Sequence, residues 1–155
     1  MPVLRPLLLC LILTVNACGF QPKGRLSSLS AQPFWQLENA GSLQEALNTA
    51  LKRAGATVQS DAPQQLQIVS VERQKDIYTI TRAAKLSEYR LSLNVGFQVR
   101  RQHAPAGLPA QVRVERTLPY ADAMVLGKQE EEALIWREME QDAAEQIVRR
   151  LAAGQ

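Results

Sequence analysis

Two thiols, one imidazole and fifteen carboxylates are the groups with which this chain could do covalent or proton-transfer chemistry. A nucleophile needs a base within hydrogen-bond reach, and the base needs a third group to orient it. The one imidazole, His103, falls in the turn-rich stretch from His103 to Ala110, with Pro105, Gly107 and Pro109, and reads as a solvated loop residue. No second histidine stands at metal-ligand spacing from a cysteine, so a zinc-type set is missing. The sequence holds no G-x-S-x-G elbow and no glycine-rich phosphate cradle after a strand. Glu130, Glu131, Glu132, Glu138, Glu140, Asp142 and Glu145 belong to the polar sides of one helix, where Glu145 and Arg149 form an i to i+4 pair. No catalytic residue, metal or cofactor is assigned, and the chain is expected not to be an enzyme.

The thiols lead elsewhere. Cys10 lies inside Leu7–Val15, an apolar run without charge that is far shorter than the roughly 20 residues a spanning helix needs. Arg5 precedes the run and the small Ala17 follows it, the layout of a secretory signal. Val15-Asn16-Ala17-Cys18 resembles the lipobox of bacterial lipoproteins, in which the cysteine is acylated and becomes the new N-terminus. A disulfide is the ordinary alternative for an exported cysteine, but Cys10 is the one possible partner and leaves with the run. Cys18 is therefore expected to be the lipid anchor. Gly19 after it, by resemblance to bacterial sorting rules, implies the outer membrane.

The 138 residues from Cys18 to Gln155 suit one domain with a single core. Residues 1–17 are expected to be the cleaved signal, 18–32 the lipidated N-terminus and tether, and 33–152 the domain. The tether reading rests on Gln21–Gln32, a mixture of Pro, Gly, Ser and polar residues without periodicity. Lys plus Arg number 18 against 15 Asp plus Glu, with no basic run interleaved with aromatics, so nucleic acid is not a partner. If the positive charge acts, anionic lipid head groups suit it better.

Phe34, Trp35 and Leu37 suggest a short first strand. Ser42 and Glu45 have capping-box spacing, followed by Leu43, Ala46, Leu47, Ala50, Leu51 and Ala54 at helical intervals, with Gly55 at the C-terminal stop. Leu66–Glu72 and Asp76–Arg82, separated by a polar Arg73-Gln74-Lys75, read either as one long bent strand or as a hairpin. Tyr89–Arg101 alternates dry and wet faces over twelve residues, and Gln111–Tyr120 continues the pattern as its antiparallel partner. A final helix from Lys128 or Gln129 to Leu151 carries Trp136, Met139, Ala143, Ile147 and Leu151 on one face, joined by Ala133, Ala144 and Val148. The expected fold is α+β: a two-layer sandwich of two helices on one face of a mixed, mostly antiparallel four-stranded sheet, its other face polar.

Several segments in order resemble the lipopolysaccharide-assembly lipoprotein family LptE: Ala17-Cys18-Gly19-Phe20, Ser87-Glu88-Tyr89-Arg90-Leu91, Val125-Leu126-Gly127-Lys128, and Arg137-Glu138-Met139 through Asp142-Ala143-Ala144-Glu145-Gln146-Ile147 to Arg150-Leu151. The resemblance implies two helices against a mixed sheet. It also implies an outer-membrane lipoprotein that helps assemble and plugs the β-barrel lipopolysaccharide translocon of LptD type, facing the periplasm and largely inside that barrel, and that binds lipopolysaccharide. Arg82 and Lys128 match family positions for lipopolysaccharide binding, with Lys85 and Arg90 as nearby reserves. Lipid A phosphates favour such donors, Arg as a fork and Lys as a point charge. The other readings are an accessory lipoprotein of another envelope transport or peptidoglycan-associated complex, and an envelope hydrolase.

Overall fold

The computed structural model describes residue 29 and residues 31–80, 86–119 and 125–154. Strand β1 (Phe34–Glu38) leads through a single 3-10 turn (Gly41–Leu43) into helix α1 (Gln44–Arg53). Then come β2 (Thr57–Val58), β3 (Gln64–Ile80), β4 (Leu86–Arg101), β5 (Ala110–Pro119) and helix α2 (Val125–Ala152). The sheet order is β2-β1-β3-β4-β5, with β1 parallel to both neighbours and the β3-β4 and β4-β5 pairs antiparallel. This is the expected α+β sandwich with five strands instead of four. The additional β2 is two residues long, too short to carry a period, and forms because Thr57 and Gln59 N–H donate to the Pro33 and Trp35 carbonyls.

Helix α1 starts and stops by different devices. Ser42 makes no side-chain cap; it lies in the 3-10 turn, and α1 begins from Leu43 in right-handed geometry. Glu45 still favours the first turn through the helix dipole. At the other end Gly55, at φ +82°, donates to the Lys52 carbonyl while Ala56 donates to Leu51. That is the paired Schellman closure the glycine permits.

Arg73-Gln74-Lys75 does not interrupt the sheet; β3 runs through it as one strand. A bulge between Ile68 and Ser70 adds one residue against β4, which switches the alternation. Leu66 and Ile68 face the helices before it. Val71, Arg73, Lys75 and Ile77, opposite Val95, Leu93, Leu91 and Tyr89, face them after it. Gly96 pairs with Ser70 at this point, where a Cβ would stand 2.6 Å from the serine Oγ.

The core fills the space between sheet and helices: Trp35, Leu43, Leu47, Leu51, Leu66, Leu91, Leu93, Val95 and Val112 against Met139, Ile147 and Val148. Helix α2 is longer than its periodicity predicts and divides in two. From Met139 onward it buries Ala143, Ala144, Ile147, Val148 and Leu151. Before Met139 it is held differently, with Ala133 exposed and Ile135 and Trp136 only partly covered. The opposite face of the sheet carries Gln36, Glu38, Gln65, Gln67, Glu72, Gln74, Asp76, Asn94, Gln98, Arg113 and Glu115, interrupted by Val69 and Tyr78.

The sandwich has two distinct ends. Leu29, already buried, donates to the Ala54 carbonyl at the α1 C-terminus. β1, β3 and β5 start at this proximal end, β4 finishes there (Gln64 opposite Arg101, Phe97 opposite Ala110), and the α2 C-terminus joins them through Arg150 Nη1 to the Gln111 carbonyl. At the distal end Ile80 pairs with Leu86 and Glu88 with Pro119. At about 3.3 Å per residue, the seventeen residues of β3 separate the two ends by roughly 55 Å.

Candidate functional site

The polar half of α2 meets the distal half of the β3-β4 hairpin through paired charges. The Arg73 guanidinium binds the Glu140 carboxylate and lies 5.5 Å from the centre of the Trp136 ring. Two residues further along β3, Lys75 Nζ is 2.5 Å from Glu132 Oε2 and 4.5 Å from the Tyr89 ring centre. Glu132 also accepts the Trp136 indole N–H at 3.3 Å. Following β3 from Arg73 to Lys75 means following α2 backward from Glu140 to Glu132, so the helix N-terminus points toward the distal end. The bulge makes this belt possible, because without it Arg73 and Lys75 would face away from α2.

Lys128 stands one helical turn before Glu132 on that same side. Its ammonium is 2.7 Å from Glu131 Oε2, and its side chain keeps only 21% of its exposure. A cation this near a helix N-terminus opposes the dipole by about 0.3–1 kcal/mol, and Glu131 offsets that. Arg82, Lys85 and Cys18 lie outside the described residues. Arg90 is on the opposite face of the sheet from Lys128, its guanidinium 4.2 Å from the Tyr78 ring centre. The distal end also exposes apolar surface, with Ile77 at 64%, Ile80 at 63% and Tyr78 at 47%.

This arrangement suits binding more than bond making. The carboxylates facing β3 are committed to Arg73 and Lys75. Asp142 is bound by Arg116, and Glu145 by Arg53 and Arg149. His103 is exposed at the proximal end, at φ +62°, far from the belt. Among the described residues no three of His, Cys, Asp and Glu gather as a metal ion would require. One carboxyl is perturbed: the Arg113 hydrogen bond holds Glu115 below its ordinary range against some desolvation, helped by the charges of Arg113 and Arg90 and by Ser92. That cluster lies on the polar sheet face.

The belt of Arg73, Lys75, Tyr89, Glu132, Trp136 and Glu140 was not singled out by sequence reasoning. Its only trace is the polar Arg73-Gln74-Lys75 inside an otherwise strand-like stretch. Among the described residues no helix is long and apolar enough to cross a membrane.

Two helices on one face of a five-stranded mixed sheet define a class of small α+β sandwiches seen in several bacterial lipoproteins. The chain superposes on the solution structure of an uncharacterized lipoprotein B from Nitrosomonas europaea with a TM-score of 0.70 and 27% identity, covering 87% of this chain and 91% of that one. It shares its fold with rare lipoprotein B from Shewanella oneidensis (TM-score 0.68, 19% identity, covering 78% and 95%). The family model described as LptE, Lipopolysaccharide-assembly, matches residues 31–151, and the chain belongs to this family. It is 28% identical to the LPS-assembly lipoprotein LptE of Pectobacterium atrosepticum, covering 90% of this chain and 79% of that one. It is 29% identical to the corresponding protein of Photorhabdus laumondii, covering 90% and 80%.

Proposed function

We propose that this chain is a non-catalytic outer-membrane lipoprotein, anchored through acylated Cys18 after removal of residues 1–17. In this reading residues 18–32 are the lipidated tether and its continuation into the fold, and 33–152 the working domain. It assists assembly of the β-barrel lipopolysaccharide translocon of LptD type, plugs it, and binds lipopolysaccharide on its way to the cell surface. The observation that carries the reading is the family match over residues 31–151. The polar outer face of the sheet supports it, since a barrel lumen is itself polar and a plug must satisfy that lining.

Lys128, with Arg82, is proposed to contact lipid A phosphates. Glu131 is no obstacle, because its side chain is 44% exposed and can turn to water while a phosphate takes its place. A phosphate there also meets the favourable end of the α2 dipole, which the ammonium alone opposes. Exposed Ile77 and Ile80 suit acyl chains beside the charges. Replacing both Arg82 and Lys128 with Asp removes two charge-assisted contacts of about 1.5–3 kcal/mol each. Lipopolysaccharide binding should then fall at least a hundredfold while far-UV circular dichroism stays unchanged; undiminished binding refutes the assignment. Detergent extraction with an affinity-tagged chain should bring a large β-barrel protein with it, and its absence would favour an accessory lipoprotein of another envelope complex. Acyl labelling must vanish in Cys18→Ala, and an unmodified thiol in the mature protein would end the anchor reading.

A further inference from the structure

The chain's charge is divided along its long axis. The proximal end gathers six cations, Lys52, Arg53, Arg100, Arg101, Arg149 and Arg150, against three carboxylates, Glu38, Asp61 and Glu145. The other described residues hold seven cations to eleven carboxylates. Helix dipoles account for Lys52 and Arg53 at the end of α1 and for Arg149 and Arg150 at the end of α2. They do not account for Arg100 and Arg101, which end a strand and make no ion pair among the described residues.

Beside these cations the loop at 102–109 presents Leu108 at 91% exposure. The loop is held in place. Gly107 N–H donates to the Val99 carbonyl at 2.8 Å, the Gly107 carbonyl accepts from Gln98 Nε2 at 2.6 Å, and Gln102 N–H donates to the Pro63 carbonyl at 2.9 Å. A mostly apolar hollow lies beside it, lined by Phe97, Val99, Arg101, Pro105, Pro109 and Leu108 itself, which stands exposed at the rim. Phe34, 44% exposed, begins β1 at the same end. Leu29, eleven residues after Cys18, is buried at this end as well. Eleven residues reach at most about 40 Å.

We propose that the proximal end is a membrane-docking surface. Arg100, Arg101 and the basic helix ends sit against anionic phospholipid head groups, and Leu108 inserts into the interface. The orientation rests on the Cys18 anchor of the proposed function, but the surface itself does not. An acyl chain and a cationic apolar surface are two signals, and one signal alone binds marginally. Docking here directs Lys128 and the distal hairpin away from that leaflet.

The test uses a chain starting at Gly19, which keeps every core residue, since these lie between Leu29 and Leu151. Vesicles of phosphatidylcholine, with or without about one part in three phosphatidylglycerol, provide the two surfaces. An anionic surface favours each nearby cation by roughly fivefold. Arg100→Glu with Arg101→Glu should therefore lower partitioning to the anionic vesicles about 25-fold or more, whereas Arg137→Glu, away from this end, should change it little. Raising salt to about 1 M, where screening acts within roughly 3 Å, should release the chain. Leu108→Asp, which cannot disturb the core, should weaken binding, and Leu108→Trp should show blue-shifted emission quenched by brominated acyl chains, unlike Leu134→Trp. Equal binding to neutral vesicles, or an introduced indole at 108 that stays unquenched, overturns the proposal. In the acylated protein an unquenched indole at 108 defeats the docking surface and leaves the anchor intact. Salt-sensitive binding by the Gly19 chain, with an unmodified Cys18 in cells, does the reverse.

Discussion

Replacing Arg73 should cost more than replacing Glu140, although they are partners in one ion pair. The Glu140 side chain retains 11% of its exposure and the Arg73 side chain 43%. Removing the arginine strands a nearly buried carboxylate; removing the glutamate leaves a guanidinium that can turn to water. Breaking a fully buried pair costs about 3–5 kcal/mol and an exposed one about 0–1. The half-exposed arginine places Arg73→Met between these limits, at about 2 kcal/mol, and Glu140→Met nearer 1. Arg73→Met also loses the Trp136 contact, about 0.5 kcal/mol, which Arg73→Lys separates from loss of charge. With both residues replaced by Met the apolar pair packs against α2, and the total should fall to about 1 kcal/mol, well below the roughly 3 kcal/mol of independent sites. Urea unfolding followed by circular dichroism measures all four chains, and Arg73→Met should lower Tm by about 8 °C. Equal costs for the two single replacements, or strict additivity, would refute the reasoning and point to another counter-charge for Glu140, such as Arg137 one turn before it on α2, beside the inter-helix groove.

Two other perturbations test the sheet. Because the folded pKa of Glu115 lies below its ordinary 4.5, the stability it contributes is present above that value and is lost as pH falls through the folded pKa; Glu115→Gln should flatten the acid limb of an unfolding-versus-pH curve, and an unchanged limb contradicts this. Deleting Val69 removes the bulge and forces a choice between turning out Leu66 with Ile68 or turning Arg73 and Lys75 away from α2. Either choice should cost about 3 kcal/mol or more in chemical denaturation, and a neutral deletion would mean that the switch in alternation has no structural role.

Periodicity reveals the elements that bury a continuous face. The dry side of β4, with Leu91, Leu93, Val95 and Phe97, repeats every two residues without interruption, and the second half of α2 repeats every three to four. β3 was ambiguous because its pattern changes parity at Val69 and because Arg73 and Lys75, charged residues, occupy helix-facing positions that look like loop in one dimension. The Ser42 signal misleads because a 3-10 turn opens the helix instead, with the Leu43 and Gln44 N–H groups donating to the Ala40 and Gly41 carbonyls. Of the site residues, Lys128 and Arg82 come from family resemblance alone, as no local pattern separates them from surface charge. The proximal cations at 52–53, 100–101 and 149–150 are dispersed along the chain, and topology alone brings them together.

The bond from Leu29 to Ala54 has a mechanical consequence. A pull on Leu29 loads its bond to the Ala54 carbonyl and the turn closed by Gln32 N–H on the Leu29 carbonyl, and then β1, which is flanked by parallel partners on both sides. The load therefore shears the β1 hydrogen bonds together instead of peeling them one by one. Trp35, 1% exposed in the core, acts as a peg against sliding. Resistance to force is set by the unfolding rate, not the equilibrium stability. A small domain loaded in this geometry resists force applied at its first strand more than its equilibrium stability alone would suggest.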